Sequence, residues 1–321
     1  MSRSSNFRRF TFFIMIVSLW SSVFGQLIVA QASVTKANVT AKANQLTDDQ
    51  KEALKHSAKQ QSTLKEAIQA KKQDWRVQQQ LKDIDRYLER YQKKSVYVDF
   101  CFLDLDPNLR AGLRSDQAVS AQSIPKIAFV AFCQDLVAKG DLSWNDRFKY
   151  DPVVLDQSLS YPASGSGSLK REKLSGKSYS LKDLVHRTMA ESDNIAADML
   201  MYYIAKPQQK AFDRFVKKVY QEKTWSWDMS AQQINQLFRY LYQQDEQWGF
   251  ESLDKTAWDG RFIDVLPVNT YQKIGSWEGT YYHSVALVEG QRPYLLTILT
   301  ESPNERMIGQ ISKDIYQIVS D

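Results

Sequence analysis

The stretch from Ala121 to Val137 reads AQSIPKIAFVAFCQDLV. Pro125 has no N–H to give, and its ring clashes with the preceding turn, so a helix tolerates it only at its start. An apolar run follows at once, with Ile127, Phe129, Val130 and Leu136. The stretch therefore predicts a helix over Ala121–Val137, with Ser123 at its N-terminus. There, free backbone N–H groups and the helix dipole favour negative charge. Lys126 stands one turn further on, on the same face. A serine with an amine beside it is an activated nucleophile that needs no histidine. The same S-x-x-K spacing occurs at Ser33–Lys36 and Ser62–Lys65. The spacing alone thus reads equally well as a helix cap with a surface lysine. Pro125 and the apolar run set Ser123 apart.

Two further motifs lie downstream. Ser192-Asp193-Asn194 separates two helical patterns, and by itself it is a helix break with an N-cap. Lys273-Ile274-Gly275-Ser276 falls on a predicted strand, Tyr271–Gly275. A glycine inside a strand often marks close approach of another backbone or a ligand.

Around these motifs the pattern changes character several times. Val96, Val98, Phe100 and Phe102 alternate with Tyr97, Asp99 and Cys101, which predicts a strand, and Asp106-Pro107-Asn108 predicts a turn. Residues 151–179 are loop-rich and include Ser164-Gly165-Ser166-Gly167-Ser168. Ser180-Leu181-Lys182-Asp183 opens the next helix as a capping box. Helical patterns continue over Ile195–Ala205, Gln208–Tyr220 and Ala231–Tyr242. Strands are expected at Tyr281–Val288 and Tyr294–Thr300, and a final helix over Glu305–Val319. The order is strands, helices, strands, helix. That predicts an α+β fold whose sheet is assembled from both ends of the body.

The charge is unevenly spread over the 321 residues. Residues 33–94 hold 14 Lys/Arg against 8 Asp/Glu, and residues 95–321 hold 25 against 29. The basic balance belongs to an N-terminal arm, so a body that binds nucleic acid is disfavoured. Residues 1–32 carry Arg3, Arg8 and Arg9, an apolar run and a terminal Ala30-Gln31-Ala32, the pattern of a secretory signal peptide or, read otherwise, an uncleaved anchor. Either places the remainder outside the cytoplasm. Residues 33–94 form a basic helical arm. Within it, Val77, Leu81, Ile84, Leu88 and Tyr91 make one apolar stripe, expected to dock on the body. Upstream, Leu54, Leu64 and Ile68 are sparse, and the lysine excess there fits either a soluble spacer or a contact with anionic wall polymer or membrane surface. Residues 95–321 are the globular domain.

Some chemistries have no sequence support. There is no C-x-x-C and no H-E-x-x-H for zinc, and no G-x-S-x-G elbow for a Ser-His-Asp hydrolase. No cofactor or metal is expected. Cys101 and Cys133, both in apolar runs, are either a pair or two buried thiols.

Taken in order, S-x-x-K at Ser123, S-D-N at Ser192 and K-x-G at Lys273 resemble the penicillin-recognising serine enzymes, most closely the class A β-lactamases. The resemblance covers residues 95–321. It implies an antiparallel sheet flanked by helices, with an inserted all-α subdomain and the site between them. It further implies that Ser123 is the acylated nucleophile and that Lys126 takes its proton. Ser192 would relay a proton to the leaving nitrogen, and Asn194 would bind substrate and orient Lys126. Lys273 would be a nearby cation, Gly275 part of the substrate-binding strand, and the Ser123 and Ser276 N–H groups an oxyanion hole. The implied substrate is a β-lactam or the stem peptide of peptidoglycan.

Two departures stand out. The family's Glu-x-x-x-Asn loop is missing: four residues beyond Glu222, Glu246 and Glu251 stand Ser226, Phe250 and Lys255. The segment Tyr220–Asp228 is short, so the loop reads as truncated. Ile274 also replaces the usual Thr or Ser of K-[ST]-G. These departures leave an alternative open, a β-lactamase-like pseudoenzyme that binds the wall without turnover.

Overall fold

A computed structural model describes residues 48–156, 165–277, 279–302 and 304–320. The signal segment, Ser33–Lys36, Thr47 and Ser164 lie outside the described residues, as do the side chains of Leu54, Leu64 and Ile68. The chain divides into two units, Met1–Trp75 and Arg76–Asp321.

Helix α1 runs Asp48–Leu88. Strands β1 (Val96–Phe102), β2 (Arg110–Leu113) and β3 (Val119–Ser120) follow, then helix α2 (Ile127–Ala138). The inserted region carries β4 (Arg147–Lys149), β5 (Ser178–Ser180) and helices α3 (Leu181–Ala190), α4 (Asn194–Leu200) and α5 (Gln209–Tyr220). Next come β6 (Asp228–Met229) and helix α6 (Ala231–Gln243). The chain ends in β7 (Thr270–Trp277), β8 (Tyr281–Val288), β9 (Tyr294–Thr300) and helix α7 (Arg306–Ser320).

The main sheet has the order β2-β1-β9-β8-β7, every pair antiparallel. Its centre comes from both ends of the compact unit, as the α+β reading requires. Strand alternation sorts the side chains between two cores. Val285, Leu287, Leu295 and Leu299 face the helical block with Ile127, Val130, Leu184 and Leu237. Ala286, Val288, Leu296 and Ile298 face the other way, onto Ile308, Ile311 and Ile315 of α7. Every residue of β9 is buried, because both faces of the sheet are covered. The stripe Val77, Leu81, Ile84, Leu88 and Tyr91 lies in this second core, and the compact unit begins at Arg76. Each fully buried Leu, Ile or Phe contributes roughly 1.5–3 kcal/mol to that packing. Cys101 and Cys133 are both free thiols buried among the helical-block residues.

The helix expected from Ala121 starts later than the sequence predicts. Ala121 donates its N–H to Trp227 O, 2.9 Å away, and Gln122 adopts φ +56°. A single 3₁₀ turn, Ile124–Lys126, then leads into α2. Contacts distant in sequence decide the backbone of 121–123, not local propensity.

Candidate active site

Ser123 precedes the 3₁₀ turn with φ −82° and ψ −4°, and it is almost fully buried. Lys126 ends that turn with its side chain inside the protein, 1% exposed. Its Nζ donates to Ser192 O at 2.9 Å and to Asn194 Oδ1 at 2.5 Å. Lys273 reaches the same place from β7. Its Nζ donates to Ser192 Oγ at 2.8 Å and to Ile274 O at 2.9 Å. The S-D-N segment therefore sits between two lysines, one on its carbonyl and one on its hydroxyl.

The local folding of that segment explains how it holds both. Asp193 is buried and caps α4, accepting from Ala196 N at 3.0 Å and from Leu169 N at 2.8 Å. Ser192 is forced to φ +54°, the left-handed region that non-glycine residues avoid. Such strain collects at functional sites, where the surroundings over-determine the conformation. Ser166 ties the segment from outside. Its hydroxyl donates to Ser192 O at 2.8 Å, and its carbonyl accepts from Asn194 N at 3.2 Å. Gly167, at φ +110°, lets this loop close up, since a Cβ there would stand 2.1 Å from Asp193 Oδ2.

Burial decides the electrostatics. It lowers the Lys126 pKa to about 8, although the carboxylates of Asp198 and Asp193 pull the other way. Burial holds Lys273 well below the ordinary lysine range, and the charge on Lys126 adds to the effect. Two ammonium groups in one dry site do not both keep their protons near neutral pH. The pair sheds one and presents an amine beside Ser192.

Strand β7 forms the opposite wall. Gly275 packs directly on the segment that carries Ser123: a Cβ there would lie 2.6 Å from Ala121 O and 3.1 Å from Ser123 N. Only glycine allows that approach. Ser276 follows, exposed. Ile274 turns to the other face of the sheet, where it is buried with Phe262 and Ile263. The structure thus brings Ser123, Lys126, Ser192, Asn194, Lys273, Gly275 and Ser276 to the junction of α2, the α3–α4 break and β7.

The three glutamates between α4 and β7 are engaged elsewhere or lie at the surface. Glu222 accepts from Gln233 Nε2 at 2.8 Å, Glu246 accepts from Trp144 Nε1 at 2.8 Å, and Glu251 is exposed in the turn Trp248–Glu251. Tryptophans occupy the short segment before β6. Trp225 donates to Pro125 O at 3.0 Å and packs on Phe129 and Trp227, with ring centroids 4.8 and 4.6 Å away. Sequence reading passed over Ser166 and Trp225. Nothing local marks either, because each acts on a backbone carbonyl far away in the chain.

A family model described as the β-lactamase enzyme family matches residues 76–319. A comparison by sequence with curated proteins finds no match. Among solved structures, the chain is similar to the β-lactamase of Sphaerobacter thermophilus (TM-score 0.59, 16% identity, 75% of this chain and 95% of that one). It is also similar to the TLA-1 extended-spectrum β-lactamase (0.63, 15%, 75% and 99%) and to PBP-A (0.59, 16%, 76% and 94%). A variant of PBP-A is known as an acyl-enzyme complex with penicillin G. At these identities the structural likenesses establish the fold, an antiparallel sheet flanked by helices, and the family match spans nearly the whole compact unit. The chain belongs to the β-lactamase enzyme family.

Proposed function

We propose that the protein is an exported serine hydrolase that forms an acyl intermediate on Ser123 and acts on a β-lactam or on the peptide amide of a cell-wall stem. One observation carries the reading: Lys126, buried and lowered to about 8, is bonded to Ser192 and Asn194, while Lys273 holds the Ser192 hydroxyl. Ser123 Oγ bonds to the substrate carbonyl carbon as its proton passes to the Lys126 amine. The backbone N–H groups of Ser123 and Ser276 receive the developing oxyanion. When the carbonyl re-forms, the C–N bond breaks. Ser192 Oγ gives its proton to the leaving nitrogen and is reprotonated from the lysine pair. Asn194 holds Lys126 in place, and Lys273 with Ser276 offers the polar side of the strand to the substrate.

Water must then release the acyl group. Glu222, Glu246 and Glu251 bond elsewhere or lie exposed, and Trp225 occupies the short segment before β6, bonded to Pro125 O. Deacylation is therefore slow. The test is intact mass after incubation with benzylpenicillin, followed by peptide mapping. A persistent adduct on the peptide containing Ser123 is the expected result. No adduct under large excess, or rapid turnover of the drug, overturns the reading. A wall-binding protein without chemistry would give the first of these.

Export rests on residues 1–32, and retention at an anionic wall or membrane surface rests on the basic arm.

A further inference from the structure

His283 takes no part in the chemistry proposed above, yet it is fully buried on β8 and stands opposite Gly275 in register. Thr300 N donates to its Nδ1 at 3.1 Å, and its Nε2 lies 2.9 Å from Ser120 O. A backbone N–H is only a donor and a backbone carbonyl only an acceptor. With these two partners Nδ1 is bare and Nε2 carries the hydrogen, although the Tyr282 carbonyl also faces the ring. Burial lowers the ring's pKa to about 4, which keeps it neutral in ordinary conditions.

Ser120 is the last residue of β3 and lies three positions before Ser123. The intervening backbone is unusual. β3 is two residues long and pairs only with the two-residue β6. Gln122 is left-handed at φ +56°, and Ala121 and Ser123 rest against Gly275 with no room for a side chain. So short a ladder defines the segment's height above the sheet poorly. His283 provides a direct side-chain link from the main sheet to that segment, in the same register position as the glycine it rests on.

We propose that His283 is a positioning residue: its Nε2–H bond to the Ser120 carbonyl sets the height of the Ser123 amide over β7, and thereby the geometry in which Ser123 is acylated. The proposal rests on the acyl-Ser123 reading. A displacement of about 1 Å at a reacting group lowers a rate on the order of a hundredfold. Substrate binding along β7 does not depend on that height.

The experiment follows adduct formation by intact mass at a series of benzylpenicillin concentrations, separating the limiting acylation rate from the half-saturating concentration. H283L is expected to lower the limiting rate by about a hundredfold and leave half-saturation nearly unchanged. H283Q, which retains an N–H donor, is expected to recover most of the loss. A wild-type limiting rate in H283L overturns the proposal, as does equal loss of rate and half-saturation in both variants. If H283L does not fold, nitrogen NMR of the histidine rings in the wild-type full chain decides. The Nε2–H tautomer, coupled to the Ser120 carbonyl, is expected, and an Nδ1–H or charged ring at neutral pH overturns the proposal. A wild-type protein that takes no adduct overturns the acyl-serine reading and the catalytic meaning of the link together. Wild-type acylation with an unaffected H283L overturns the link alone.

Discussion

Lys126 and Ser192 show how the site trades stability for chemistry. An unfolded lysine keeps its proton to about 10.5, while Lys126 in the folded protein loses it at about 8. Between those values the unfolded chain binds the extra proton, so this group's contribution to folding stability improves as pH rises from about 8 to about 10.5. The full penalty, roughly 3 kcal/mol, applies below pH 8. Acylation depends on pH in a different window, below the folded value, because the base must be neutral. Its rate is expected to climb about tenfold per pH unit below pH 8 and to level off above it. Stopped adduct formation at several pH values checks this, and a flat profile contradicts Lys126 as the base. Ser192 gives a complementary prediction. Its left-handed conformation costs about 1–2 kcal/mol relative to an ordinary backbone, and glycine would relieve it. S192G is expected to lose acylation by about a hundredfold or more through the missing proton relay, while in its stability the relieved strain is offset by the acceptor lost to buried Lys273 Nζ. A variant that is both active and more stable would remove Ser192 from the mechanism.

At the level of elements, close approach is what builds the site. The loop Gly165–Ser168 closes on the α3–α4 break, and β7 closes on the turn that carries Ser123, each through one glycine. G167A places a methyl against Asp193 Oδ2 and disturbs both the α4 cap and a φ of +110°; the expected loss is roughly 2–4 kcal/mol. Gly176 is a control, with φ +82° and no atom within 4 Å of an added Cβ, so G176A is expected to cost only about 1 kcal/mol. Urea unfolding of both variants checks the difference, and equal midpoints would mean that packing on Asp193 contributes nothing. β7 also shows why Ile274 is acceptable in its motif. The strand turns that side chain into the second core and turns Lys273 and Gly275 toward the site, so an apolar residue at 274 serves packing.

At the scale of the molecule, the charge division becomes a prediction. The compact unit starts at Arg76, whereas the lysine-rich residues lie largely before it. A chain beginning at Gln69 retains the whole unit and its apolar stripe. It is expected to melt and to acylate as the longer chain does, but to lose salt-sensitive retention on cell walls or anionic vesicles. Exposed charges are screened within about 8–10 Å at physiological ionic strength, so retention through the arm falls as salt is added. Pull-down at low and high salt checks this. Equal retention of both chains removes the arm from localisation, and loss of acylation in a folded short chain gives the arm a part in the site.

Much of this architecture is readable from local pattern. The apolar runs at 281–288 and 294–300 and the apolar face of 305–319 place those elements within a residue of where they lie, because a strand buried on both faces is almost continuously apolar and a helix buried on one face repeats every three to four residues. Ser123, Lys126, Ser192, Asn194 and Lys273 are legible for another reason: each motif is short, and its order along the chain is a family mark. The backbone of Ala121–Ser123 was not legible. Trp227 O, Gly275 and His283 fix it, and these bonds form only once β6, β7 and β8 are in place. The same holds for the charge state of the lysines. The motifs mark Lys126 and Lys273 in the sequence, but their burial leaves no local sign. Burial beside one serine, with water excluded, is what makes one of them an amine, and only the tertiary structure brings about that burial.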